Sequence, residues 1–275
     1  MTNSQPTLVF TDLDGTLLNH HDYDWSAARP ALAELRARRI PLILVSSKTD
    51  VEMLSLRHEL DNHDPLVCEN GSLVLVPEPL LEPLGMNADP RCINGSYYYD
   101  YRGVSREQIL QILNGLTGDY DFTGFAWMST DEVVEHTGLA PEAAELASRR
   151  KASEPLVWQD SAEALAEFRE RLQACHLRLL KGGRFYHVMG QCDKGDAVRT
   201  LSERYQHWWD TRPHTIALGD SPNDLDMLKQ VDVPIIIPHQ DGQHLQDSAL
   251  KGAIVAPKPG AEGWSQALLD LINSQ

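Results

Sequence analysis

Thr7-Leu8-Val9-Phe10-Thr11-Asp12-Leu13-Asp14-Gly15-Thr16 is the stretch on which the fold turns. Residues 7–13 form a short apolar run ending in acidic residues and a turn-forming glycine. This is the pattern of a buried parallel strand that feeds a loop at its carboxyl end. Alternation along a strand places the side chains of Asp12 and Asp14 on one face, so both reach the same space. Two carboxylates held that close repel, and one is pushed toward protonation unless a cation neutralises the pair. The pair therefore calls for a divalent metal or an acid/base partnership. A lone D-x-D before glycine would also suit a solvated turn, so the rest of the chain must decide.

Outward from this stretch, helical spacing over residues 27–38 leads to a second apolar run, 40–45, which stops at Ser46-Ser47-Lys48-Thr49. A helix over 49–60, a strand over 66–68, the turn Glu69-Asn70-Gly71 and a strand over 73–76 continue the pattern. The same style returns late, with helices over 195–205, 223–230 and 261–272 and strands over 215–218 and 233–237. Strands alternating with helices predict an α/β fold whose parallel sheet is covered on both faces. The middle of the chain reads differently. A strand over 97–101 precedes a Ser105/Gln108 capping box, and Asp160/Glu163 repeats the box before a second helix. Strands over 155–159, 176–181 and 184–189 follow, the last two joined by Gly182-Gly183 as a two-residue hairpin turn. That turn would set Lys181 and Arg184 opposite each other, where like charges either project into water at the hairpin tip, the plainer reading, or hold an anion between them. Residues 87–190 are thus expected to form an inserted α+β module, and 1–86 with 191–275 the parallel-sheet core.

The chain has 275 residues, a net charge of −16 and a sequence pI near 5.0. So acidic a balance argues against nucleic-acid or anionic-membrane partners, which need a basic surface. Cys68, Cys92, Cys175 and Cys192 form neither a disulfide framework nor a C-x-x-C metal pair. The apolar runs are too short to span a bilayer, and residues 1–6 are polar without a cleavage signal, so a soluble cytoplasmic protein is expected.

Gly219-Asp220-Ser221-Pro222-Asn223-Asp224 follows another apolar strand and should bring Asp220 and Asp224 to the same sheet edge as Asp12. Oxygen ligands on loops, without a His/Cys cluster, describe a Mg2+ site that keeps some waters. Ser46 ends the second strand, where its hydroxyl can donate to a phosphoryl oxygen; capping the next helix is the plainer use. Lys194, in Asp193-Lys194-Gly195-Asp196, begins a helix, where ammonium and helix dipole both favour an anion; taken alone, a solvated surface lysine is the plainer reading. The tyrosines at 97, 98, 99 and 101 fit strand packing better than sugar stacking.

In order, Asp12-Leu13-Asp14-Gly15-Thr16, Ser46, Lys194 and Gly219–Asp224 resemble the four signature motifs of the haloacid dehalogenase-like phosphatases. The resemblance implies a Rossmann-like core, with the insert between the second and third motifs as an α+β cap like that of the sugar-phosphate phosphatases. It implies that Asp12 attacks phosphorus and that Asp14 serves as general acid and base. Ser46 and Lys194 would hold the phosphate beside Ser47. Asp12, the Asp14 carbonyl and Asp220 would bind magnesium, with Asp224 and Asn223 behind them. Val45–Thr49, Glu69-Asn70-Gly71, Gly183–Gly190 and Pro257-Lys258-Pro259-Gly260 with Gly263-Trp264 further resemble the mannosyl-3-phosphoglycerate phosphatase branch. That likeness implies a small phosphorylated sugar-glycerate substrate, with Arg184 as a candidate contact for its carboxylate. Glucosyl-3-phosphoglycerate and other sugar phosphates remain open, as does a receiver-like module that accepts phosphate without turnover.

Overall fold

A computed structural model describes residues 5–87, 89 and 92–274. Most of the polar N-terminal stretch, read above as lacking a targeting signal, lies outside them, as do residues 88, 90 and 91 of the expected insert and the last residue of the expected core. In chain order the elements are β1 Thr7–Thr11, α1 Arg29–Ala37, β2 Leu42–Val45, α2 Asp50–Glu59, β3 Leu66–Cys68, β4 Leu73–Pro77, β5 Ile93–Asn94 and β6 Tyr97–Tyr101. Then come α3 Arg106–Asn114, β7 Phe122–Gly124, α4 Thr130–Thr137, α5 Pro141–Ser148, β8 Ser153–Trp158, α6 Ala162–Ala174, β9 Leu177–Lys181 and β10 Tyr186–Gly190. The chain closes with α7 Lys194–Trp209, β11 His214–Gly219, α8 Leu225–Leu228, β12 Val233–Ile236, β13 Ile254–Val255 and α9 Gly260–Asn273.

Among the described residues, one sheet has nine strands in the order β13-β12-β11-β1-β2-β3-β4-β6-β5 and a second has four, β7-β8-β10-β9. The first six strands of the large sheet run parallel. Period-two alternation splits its core in two. Val9 of β1 joins Leu35 of α1 and Trp264 and Leu268 of α9 on one face. Leu8 and Phe10 join Val198, Leu201 and Tyr205 of α7 on the other. Because β1, β2 and β11 are parallel, their carboxyl ends lie along one edge, and Asp12, Ser46 and Asp220 stand there together. β5 and β6 depart from the expected insert. β3 and β4 form an antiparallel hairpin, and β5 and β6 extend the large sheet antiparallel to β4.

The four-stranded antiparallel sheet is backed by α3 and α6 through Ile109, Leu113, Phe168 and Leu172. The Ser105/Gln108 box forms as expected. Asp160 and Glu163 do not make one. Ser161 caps α6 instead, accepting from the Ala164 amide at 3.1 Å, because Asp160 is engaged with the Ser161 and Asp121 amides. The β9–β10 register also differs from expectation, since Lys181 pairs with Tyr186 and four residues make the loop. Lys181 and Arg184 therefore do not face each other. Lys181 lies over the Tyr186 ring, and Phe185 packs edge-on against Phe125 at 5.0 Å, which draws the loop into the module. Two crossings join this module to the large sheet, and they touch at Gly103 and Gly190. A Cβ on Gly190 would stand 2.8 Å from the Gly103 Cα.

Candidate active site

β1 ends at Thr11, one residue short of Asp12, whose amide continues the ladder by donating to the Leu218 carbonyl at 2.9 Å. Asp12 is almost wholly enclosed. Lys194 is the first residue of α7, and Asp193 caps that helix by accepting from the Asp196 amide at 2.8 Å. The Lys194 ammonium is buried between two carboxylates, donating to Asp12 Oδ1 and to Asp224 Oδ1, each at 2.6 Å. The other oxygen of Asp224 accepts from the Asp220 and Ser221 amides at 3.1 Å, so this residue fixes both the lysine and the loop. Asp220 accepts from Thr16 Oγ1 at 3.3 Å, and its backbone carbonyl meets His239 Nε2 at 3.1 Å.

Burial and the neighbouring Asp224 raise the Asp12 carboxyl well above the usual carboxylate range, although Lys194 opposes them. Burial and Asp224 likewise push Asp220 up to about 7. For Lys194, burial acts against the charge, but the Asp12 and Asp224 carboxylates outweigh it and hold the ammonium protonated. One ammonium thus faces three acids, and ligand oxygens of Asp12, Asp220 and Asp224 all lie within 4.8 Å of one another. An all-oxygen, net-negative, buried set of this kind fits a hard divalent cation such as magnesium.

Asp14 does not join that cluster through its side chain. It lies beyond β1, in the turn where Gly15 adopts φ +86°, and its carboxylate turns to Lys48 Nζ at 2.8 Å. Side-chain alternation therefore does not place Asp14, because β1 has ended before it. Burial opposes the Lys48 charge, and Asp14 with Glu52 more than restores it. Ser46 is buried, and its Oγ accepts from the Lys48 amide at 3.2 Å, so its hydroxyl oxygen orders the loop after β2.

Above these groups lies a cleft of about 460 Å³ between the sheet edge and the α+β module. Asp12, Asp14, Asp220 and Ser47 form its floor, and Arg150, Arg184 and His187 reach it from the module. Arg184 is exposed and donates to the Thr137 carbonyl. Burial, reinforced by Arg150 and Lys194, lowers His187 to about 3, so it enters the cleft as a neutral ring. Lys48, Arg150 and His187 were not singled out from sequence as site residues. Lys48 and His187 lie within the resembling segments Val45–Thr49 and Gly183–Gly190, and for Arg150 the local signal is the basic run Arg149-Arg150-Lys151 between a helix and a strand.

The sequence model of the haloacid dehalogenase-like hydrolases matches residues 9–88 and 159–239. A glucosyl-3-phosphoglycerate/mannosyl-3-phosphoglycerate phosphatase of Persephonella marina is 35% identical over 268 residues, 97% of this chain and 97% of that protein. One of Methanococcoides burtonii is 38% identical, covering 96% and 97%. In shape, a Thermoplasma acidophilum protein superposes with a TM-score of 0.69 at 15% identity, over 98% of this chain and 99% of the other. With the acidic triad, its buried lysine and these matches along nearly the whole length, the chain belongs to the haloacid dehalogenase-like hydrolases.

Proposed function

We propose that this protein is a magnesium-dependent, cytoplasmic phosphatase that hydrolyses mannosyl-3-phosphoglycerate and its glucosyl counterpart through an aspartyl phosphate on Asp12. The observation that carries the reading is the buried Lys194 ammonium 2.6 Å from both Asp12 and Asp224 beneath an open cleft. A phosphomonoester dianion repels a carboxylate nucleophile, so attack needs positive charge on the phosphoryl oxygens. Lys194 supplies part of that charge and opposes the burial that raises the Asp12 carboxyl. Asp12, the Asp14 carbonyl and Asp220 would hold magnesium, whose chemistry when bound is to neutralise the remaining charge.

The Asp12 carboxylate forms a bond to phosphorus as the ester bond breaks, and the Asp14 carboxyl gives its proton to the departing glycerate oxygen. A water then attacks the aspartyl phosphate, Asp14 takes its proton, and Asp12 is freed with inorganic phosphate. Acid/base help of this kind contributes about 10²–10⁴-fold. The substrate class comes from the two relatives, both named for glucosyl and mannosyl esters.

Phosphate release from mannosyl- and glucosyl-3-phosphoglycerate, titrated with magnesium and reversed by chelator, tests the proposal. Sustained release from either ester supports it. Release only from other sugar phosphates would reject the substrate, and one equivalent of glycosylglycerate per chain, with its phosphate retained on the protein and no inorganic phosphate released, would mark a receiver-like module.

A further inference from the structure

A second polar cluster lies on the rim of the cleft and is built on Glu69. Glu69 and Asn70 follow β3 with φ of +49° and +57°, a left-handed pair in residues that carry a Cβ. Such a pair persists only where its surroundings hold it. Here the Glu69 amide donates to the Lys48 carbonyl and the Asn70 amide to the Ser46 carbonyl, each at 2.9 Å. The turn is thereby pinned to the loop after β2. Asn70 Oδ1 also accepts from Asn223 Nδ2 at 3.3 Å, in the loop that carries Asp220 and Asp224.

The Glu69 side chain is wholly buried, and every hydrogen bond seen at its carboxylate comes from the α+β module. Oε1 accepts from the Lys151 amide at 2.8 Å; Oε2 accepts from the Ala152 amide at 3.1 Å and from Ser153 Oγ at 2.6 Å. Ser153 Oγ, its proton committed to Glu69, accepts in turn from Arg150 Nη1 at 3.0 Å. The same Nη1 donates to the Ser47 carbonyl at 3.1 Å, and Arg150 lines the cleft. Beside it Lys151 Nζ is 2.6 Å from the buried Asp50 carboxylate, a further tie between the module and α2. Charge-assisted bonds to a buried carboxylate are strong and geometrically demanding.

We infer that Glu69 is a positioning residue, seating residues 150–153 on the rim of the cleft and, through Ser153, aiming Arg150 at the part of the substrate that is not transferred. This rests on the phosphatase reading above and deepens it. Arg150, rather than the exposed Arg184, is then the cation that meets the glycerate carboxylate. Glu69 does not touch the phosphoryl group, so its effect falls on esters large enough to reach the module.

The test uses the full chain, with Glu69→Gln and Ser153→Ala beside the wild type. Glutamine keeps the shape of glutamate but turns an NH2 group toward at least one of three donors. Amide hydrogen exchange reads the seat without substrate. In Glu69→Gln, exchange at Lys151 and Ala152 should accelerate about tenfold or more while β1 stays protected. Kinetics read the consequence. Relative to wild type, kcat/KM for mannosyl-3-phosphoglycerate should fall about tenfold in Glu69→Gln, mainly through KM, with p-nitrophenyl phosphate changed less than about threefold. Ser153→Ala should show the same selectivity, more weakly, with exchange at Lys151 and Ala152 unchanged.

Equal losses on both esters, or unaltered exchange in Glu69→Gln, would overturn the inference. Should Glu69→Gln not fold, the selectivity of Ser153→Ala decides. If the wild type hydrolyses p-nitrophenyl phosphate but neither glycosyl ester, the substrate reading falls on its own, and exchange at Lys151 and Ala152 alone judges the seat.

Discussion

Gly15→Ala isolates the close fit between the first acidic turn and Asp220. Gly15 sits at φ +86°, and a Cβ built there lies 2.5 Å from Asp220 Oδ2 and 3.1 Å from its Cγ. Ordinary contact requires the carboxylate to retreat by roughly 1 Å. The left-handed backbone adds about 1–2 kcal/mol for a residue with a Cβ. For a chain of this size that corresponds to a fall in Tm of about 2–8 °C. The functional effect should exceed the thermal one, because a displacement of about 1 Å at a reacting centre can cost about 10²-fold in rate. Asp220 is also a proposed metal ligand, so the magnesium concentration for half-activation should rise. The assay is kcat against magnesium, with a thermal melt on the same sample and Gly118→Ala as a control. Gly118 is exposed, and a Cβ there meets nothing within 4 Å. A folded Gly15→Ala enzyme with wild-type kcat and magnesium requirement would refute the reasoning, because Asp220 would then tolerate displacement.

Asp12→Asn should abolish turnover while leaving the metal-free Tm unchanged or higher, because it removes a buried carboxylate whose charge is resisted by burial and by Asp224; near-normal activity would remove Asp12 as nucleophile. Asp64 lies away from the site, where its Oδ2 accepts from the Leu42 amide at 2.8 Å, and burial raises it to about 6. Its folded pKa exceeds the unfolded value, so the folded state binds the extra proton and stability falls as pH rises from about 4 through 6, by about 3 kcal/mol at most. Asp64→Asn keeps an acceptor without the charge, so its urea midpoint should match wild type near pH 4 and exceed it near pH 7, and a difference independent of pH would reject this account.

The alternation of strand and helix was legible because each parallel strand is a local apolar run, and Leu42–Val45 is buried at every position. The assignment of Tyr97–Tyr101 to the insert went astray for a different reason: a strand's own sequence does not name its partner. A clue lay elsewhere, in Leu73–Pro77. That run is continuously apolar rather than alternating, and all five residues are buried, so it cannot form an edge. Something had to pair beyond it, and β6 does. The hairpin register failed similarly. Gly182-Gly183 is a fair two-residue turn taken alone, but the half-buried Phe185 packs against Phe125, the loop is four residues long, and Arg184 does not face Lys181.

The same division runs through the site. Asp12, Asp220 and Lys194 each sit at a strand end or helix start, features written within a few residues, so their convergence follows once the sheet is parallel. Glu69 carries no such signature. Its carboxylate partners lie 82, 83 and 84 residues further along the chain, and only the docking of the module brings them together. The residues proposed for phosphoryl transfer belong to the sheet edge and can be read locally. Glu69 and Arg150, proposed to act on the untransferred part of the substrate, belong to a contact between two separately packed cores. On this argument, relatives that share the acidic turns but differ at 150–153 should keep the chemistry and change the substrate.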